Sequence, residues 1–320
     1  MAGMLRTDVH QHLLGRPLIA ELARRRQAPA LIRRRSGWTF RVAGEPDSVL
    51  PLDATDAALR GDELRRDGVD RALVALSSAL GIESLPAEEA VPLLEAYHRG
   101  VDALPARFGA WGAVQLEAPD PADVDALVAR GSSGLSLPAT ALATPAALER
   151  LSPLLGRLER HDVPLFVHPG PVGEARGSRR RHGATASPEP PWWPALTDYV
   201  AQMQAAWFAF AQAGRHAHPR LRVLFAMLAG GAPLHVERLA ARGGPAGAVH
   251  DALLFYDTSS YGPRALRAMI DVVGAGQLVH GSDRPVVEAV VPPADTVLGH
   301  ALLRVNPSRL LRSELREAVA

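Results

Sequence analysis

Asp8-Val9-His10-Gln11-His12, close to the amino end of the 320-residue chain, reads as the end of a β-strand beginning at Leu5. Alternate residues of a strand project to one face, so His10 and His12 present two imidazoles from one strand end. Two such nitrogens can converge on a divalent ion at roughly 2.0–2.1 Å. The same five residues could also simply end a strand with polar side chains, so the rest of the chain has to decide.

Outward from this stretch the chain alternates strand-like and helix-like segments, the pattern of a parallel sheet with crossover helices. Seven more strands follow Leu5–Val9: Arg71–Leu76, Phe108–Val114, Gly134–Leu137, Pro164–Val167, Arg222–Met227, Leu253–Asp257 and Gln277–His280. Eight strands with intervening helices predict an α/β fold, a (β/α)8 TIM barrel spanning residues 1–320 as one domain, with its active site at the carboxyl ends of the strands. No GxGxxG follows the first strand, which argues against a dinucleotide-binding open sheet. Residues 27–60 interrupt the pattern as a small insertion, with Gly37–Val42 read as a short strand or hairpin. A long loop follows strand five. The runs Arg24–Arg26 and Arg33–Arg35 are read as solvated helix ends, because they lack interleaved aromatics.

Hydrophobic residues make up 47% of the chain, and 35 basic residues nearly cancel 34 acidic ones. No global field recruits nucleic acid or an anionic membrane, so a small-molecule partner is expected. There is no cysteine, which removes disulfides, thiolate ligands and a Cys nucleophile. There is also no lysine, which removes Schiff-base chemistry and a carboxylated lysine bridging two metals. The longest apolar run, Val223–Leu234, is short and broken by Gly230, Gly231 and Pro233. With no signal-peptide pattern at the amino end, a cytoplasmic protein is expected.

Ligand-type residues gather at strand ends. His10 and His12 end strand one, His168 ends strand five in Phe166-Val167-His168-Pro169-Gly170, and Asp283 follows strand eight in His280-Gly281-Ser282-Asp283-Arg284-Pro285. At this point the sequence resembles the amidohydrolase superfamily, in the branch around aminocarboxymuconate semialdehyde decarboxylase. The resemblance is carried by Asp8–His12, Phe166–Pro169, Gly230-Gly231-Ala232-Pro233 with Glu237-Arg238-Leu239, Gly281–Pro285 and the tail Asn306–Leu311. It implies one divalent metal held by His10, His12, His168 and Asp283, zinc first and manganese second. It also implies that the chain could form a homodimer.

The chain departs from that pattern in three places. Counting back six residues from Pro233 reaches Met227, where the family carries a catalytic His; a thioether cannot exchange a proton. Asp283 alone, or His235 nearby, could take the role. His280 is read as an interior residue hydrogen-bonded within the barrel. Strand four offers no Glu where two-metal members carry a bridge, so one metal is expected. Arg284 follows Asp283 and could grip a substrate anion or pair with Glu288. In the long loop, Ser178–His182 reads as mobile and Trp192 and Trp193 as a surface for a substrate ring, with Tyr261 and Met227 also expected at the pocket. Tyr199, Met203 and Trp207 are read as one helix face. The implied activities are hydrolysis of a cyclic or aromatic amide or lactone, with Asp283 accepting a proton from water, or non-oxidative decarboxylation of an aromatic or unsaturated acid. A non-catalytic metal-binding barrel is the third reading, and Met227 is its best support.

Overall fold

A computed structural model describes residues 4–35, 37–51, 54–172, 190–288 and 290–312. The loop segment Ser178–His182 lies outside them. Eight parallel strands form one sheet: β1 (Thr7–Gln11), β5 (Arg71–Val74), β6 (Phe108–Gly112), β7 (Gly134–Pro138), β8 (Leu165–His168), β9 (Val223–Phe225), β10 (Leu254–Asp257) and β11 (Leu278–Val279). The sheet closes on itself through backbone bonds from Val9 to His280 (2.9 Å), Asp283 to His10 (2.9 Å) and His12 to Arg284 (2.7 Å). The segment joining first to last strand is therefore the one that carries Asp283. Helices α1 (Arg16–Arg24), α2 (Ala57–Arg66), α3 (Ala87–Asp102), α4 (Pro121–Ala129), α5 (Pro145–Arg160), α6 (Trp193–Ala209), α7 (Val236–Ala241) and α8 (Pro263–Val273) are interleaved with the strands. Helix starts are set locally: Asp56, Asp120 and Thr144 accept backbone N–H groups in the first turns of α2, α4 and α5.

Between α1 and α2 a separate antiparallel sheet pairs β2 (Ala30–Arg34) with β3 (Gly37–Arg41) and β3 with β4 (Ser48–Val49). Arg33 and Arg34 thus end a strand, not a helix. The Ala30–Arg34 segment becomes a strand by pairing in a hairpin with Gly37–Arg41. Arg24 does stand in the last turn of α1.

Inside the barrel, Trp111 and Phe166 pack with ring centroids 5.1 Å apart and planes tilted by 35°, and Trp111 Nε1 donates to the Val9 carbonyl at 2.9 Å. Phe166 in turn lies 5.0 Å from the ring of His10. Below the strand ends, then, the barrel is filled with aromatic rings on which the first histidine rests.

After β9 the backbone turns left-handed over five consecutive residues: Met227 (φ 43°), Leu228 (51°), Ala229 (54°), Gly230 (60°) and Gly231 (75°). For L-residues this conformation is costly, and runs of it are rare. Gly230 has a second constraint, since a Cβ there would sit 2.7 Å from the Val200 carbonyl oxygen in α6. Gly230→Ala is expected to lower stability by about 2–4 kcal/mol, read from denaturant unfolding, because it combines unfavourable φ with a backbone clash.

Glu83, in the loop after β5, is fully buried; Ser78 Oγ donates to its Oε1 at 2.5 Å, while Oε2 has no partner among the described residues. Burial raises its pKa to about 7, against the hydrogen bond that favours ionisation. A carboxyl raised in the folded state stabilises the fold fully below its unfolded pKa, and that contribution is lost as pH rises through about 7. The loss amounts to roughly 3 kcal/mol. Glu83→Gln should flatten this pH dependence, so that wild type and variant differ in melting temperature more at pH 8 than at pH 5.

Candidate metal centre

His10, His12, His168 and Asp283 each offer a ligand atom, and the four atoms lie within 4.8 Å of one another. His10 Nε2 and His12 Nε2 are 3.1 Å apart, and Asp283 Oδ1 is 3.4 Å from the first and 3.1 Å from the second. The three imidazoles stand nearly perpendicular to one another, with centroids 4.9–5.1 Å apart. All three are buried, and Asp283 is partly so. Asp283 takes φ 58°, a left-handed conformation that aspartate tolerates better than most residues.

Each ring is fixed through its other nitrogen. His10 Nδ1 is 2.8 Å from Asp257 Oδ2, His12 Nδ1 is 2.9 Å from the Ala75 carbonyl and His168 Nδ1 is 2.9 Å from the Pro169 carbonyl. With Nδ1–H donated to an oxygen, each Nε2 keeps its lone pair for the shared point, the arrangement in which histidine ligates metals. Electrostatics agree. Burial opposes a charged ring at His10, yet Asp257 and Asp283 beside it outweigh burial and raise its pKa to about 9. At His168, burial and then the neighbouring His12 and His10 push the pKa well below the usual value. The carboxylates thus favour positive charge at the point the three Nε2 atoms share, charge that a divalent ion would supply in place of a proton on His10, so the residues fit a single divalent metal.

Asp257, at the end of β10, was not singled out from the sequence. Its Oδ1 accepts from Met227 N (2.9 Å), Ser259 N (3.0 Å) and Ser259 Oγ (2.5 Å) while Oδ2 holds His10. Burial opposes its ionisation, but His10 and the Ser259 hydrogen bonds keep its pKa below the ordinary carboxylate value. A carboxylate ending strand seven was legible by the same strand-end rule that found Asp283. Asp257→Asn is expected to weaken metal affinity about 10–100-fold without removing a ligand, measured by competition with a chelator.

The remaining candidates are spread more widely. Met227 is half-buried at the end of β9, its backbone tied to Asp257. His235 is exposed at the start of α7, outside the group of four, and no hydrogen bond joins it to them among the described residues. Arg284 does not pair with Glu288: its guanidinium reaches Asp67 at 2.5 Å, with Glu63 at 4.0 Å, beside a cavity of about 570 Å³. That ion pair joins residues 217 apart in sequence, so neighbouring Glu288 was the only partner spacing could suggest. His280 is interior, as expected, but neither ring nitrogen has a hydrogen-bond partner among the described residues, and Nε2 stops 3.8 Å from Asp8 Oδ2. The carboxylate it approaches is already occupied by the His10 and Ser282 amides and by Gln11. Trp192 and Trp193 are exposed at the start of α6 with rings 5.4 Å apart. Tyr261 lines a cavity of about 240 Å³ together with Gly281 and Ser282. Met203 and Trp207 are fully buried on α6, with Tyr199 half-buried on the same helix. No helix is long and apolar enough to cross a membrane among the described residues.

The sequence matches the family model described as Amidohydrolase over residues 7–319. No protein of curated function matches it. Among solved structures, the chain is similar to 5-carboxyvanillate decarboxylase LigW from Sphingomonas paucimobilis, with TM-score 0.71 at 16% identity over 97% of this chain and 99% of that one. It is similar to 2,6-dihydroxybenzoate decarboxylase from Rhizobium, with TM-score 0.67 at 17% identity over 98% and 99%. It is likewise similar to 5-carboxyvanillate decarboxylase from Novosphingobium aromaticivorans, complexed with manganese and 4-hydroxy-3-methoxy-5-nitrobenzoic acid, with TM-score 0.71 at 15% identity over 97% and 96%. Barrel, strand-end ligand group and a family match over nearly the whole chain agree: this protein is an enzyme of the amidohydrolase family.

Proposed function

We propose that the chain is a one-metal, non-oxidative decarboxylase of a small aromatic acid. The observation that carries this reading is the convergence of His10, His12, His168 and Asp283 on a barrel whose solved likenesses are decarboxylases of hydroxylated benzoates. His10, His12, His168 and Asp283 would hold the metal, zinc or manganese, which when bound would supply Lewis-acid positive charge to the substrate's carboxylate. Manganese gains support from the Novosphingobium structure.

The chain's own residues do the rest. Asp257, the Ala75 carbonyl and the Pro169 carbonyl hold the three imidazoles in one tautomer and orientation. Asp283, at the rim, delivers the proton. As the bond to the carboxylate breaks, CO2 leaves, its former bonding pair goes to the ring carbon, and the Asp283 proton follows; solvent then reprotonates Asp283. One proton-carrying group suffices, which is consistent with Met227 standing where an imidazole is usual. Trp192 and Trp193 offer apolar faces to a ring, and Tyr261 a polar edge. Arg284, paired with Asp67 through Nη1, supports the rim. Without cysteine the enzyme needs no oxidising compartment, and we place it in the cytoplasm.

Hydrolysis of an amide or lactone would use the same four groups, with Asp283 as proton acceptor. The reactions separate on product: metal-reconstituted enzyme incubated with a panel of hydroxybenzoates, amides and lactones should release CO2 from the first. Acid formed from amides or lactones without CO2 would establish the hydrolase; neither product, with metal bound, would support a barrel that no longer catalyses.

A further inference from the structure

The insertion reaches α6 through one side chain. Glu45, after β3, accepts a hydrogen bond at Oε1 from the Tyr199 hydroxyl of α6. Next to it, Gly44 (φ 79°) lies so close to Val172 that a Cβ would be 3.1 Å from the Val172 carbonyl oxygen. Gln202, one turn after Tyr199, accepts from Gly170 N at 2.8 Å and donates to the Pro171 carbonyl at 3.0 Å. Insertion turn, α6 and the Gly170–Val172 segment are thus pinned together immediately after the fifth-strand ligand His168. Both members of the pair are half-buried. No hydrogen bond occupies Glu45 Oε2 among the described residues.

We infer that Glu45 and Tyr199 form the polar wall of the substrate pocket, with the Glu45 carboxylate accepting a hydrogen bond from a ring hydroxyl of the substrate. The inference rests on the decarboxylase reading and narrows it to phenolic acids. Burial raises the Tyr199 pKa, with Glu45 and then Asp283 adding to the effect, so the hydroxyl remains a donor and lies within the field of the metal-binding carboxylate. Burial also raises the Glu45 pKa, against the Tyr199 bond, and the charge of Asp198 adds to the rise. The chemistry is consistent: a phenolic O–H polarised by a carboxylate feeds electron density into the ring carbon that Asp283 protonates.

The test is calorimetric binding of benzoate and 4-hydroxybenzoate to the manganese-loaded full chain, for wild type, Glu45→Gln and Tyr199→Phe, with metal content and melting temperature measured on each. Wild type should bind 4-hydroxybenzoate more tightly. Glu45→Gln should weaken that binding about 10–100-fold, the usual worth of a hydrogen bond to a charged acceptor, and leave benzoate within twofold. Tyr199→Phe, which releases the carboxylate without removing it, should reduce the preference several-fold, and it carries the test if Glu45→Gln fails to fold. Equal affinity of wild type for the two acids, or equal loss on both in the variants, overturns the proposal. A preserved hydroxyl preference with no CO2 released from any hydroxybenzoate would sink the decarboxylase reading and leave the wall in place.

Discussion

Asp283→Asn is expected to cut turnover by about 10²–10⁴-fold in metal-saturated enzyme, the range for loss of a general acid or base. The substitution is a clean probe of proton transfer. Asn accepts the positive φ of this position as readily as Asp, so the backbone bond to His10 that closes the barrel should persist. Its amide oxygen can still face His10 and His12, but it cannot carry a proton. Metal content measured beside the rate divides the effect: a fall in rate far larger than the fall in occupancy assigns the proton to Asp283. Activity above a tenth of wild type would mean that another group supplies it. His235 is the alternative, and its exposed position predicts that His235→Ala stays within twofold. Met227→His adds a complementary result. Its backbone is already anchored to Asp257, so an imidazole there would stand beside the ligand group and should raise hydrolysis of activated esters if only a proton acceptor is missing.

The strands and all four members of the ligand group were legible, the strands because burial dictates them and the group because its members end strands. Parallel strands covered on both faces read as apolar runs, and strand ends on this fold are where chemistry collects. The same rule extended to Leu253–Asp257 would have found Asp257, whose role shows only once His10 is beside it. The left-handed turn at Met227–Gly231 was not legible, since two glycines do not announce five residues of positive φ. That turn explains why His235, near in sequence, ends on the surface. Arg284 with Asp67 and Glu45 with Tyr199 are separated by 217 and 154 positions. Contacts of that kind depend on the closed barrel and leave no mark in local spacing.

Elemental analysis of the reconstituted protein should give one divalent metal per chain, and His168→Ala should reduce it to below about a tenth under conditions where His235→Ala has no effect. Each imidazole has committed Nδ1 to a fixed oxygen, so three Nε2 atoms and Asp283 Oδ1 are the donors that remain. His168 is the one whose burial and imidazole neighbours keep it unprotonated, giving a lone pair at neutral pH without competition from a proton. Its loss leaves two imidazoles from a single strand and one carboxylate, short of the four donors a tightly held ion uses. A second ion would need a bridge, and β7 ends in Leu137-Pro138 with no carboxylate, in a chain without lysine. Because metal binds only the folded chain, its removal by chelator should lower the melting temperature of wild type and leave His168→Ala unchanged. Two metals per chain, or full occupancy in His168→Ala, would overturn the assignment of these four residues as a mononuclear site.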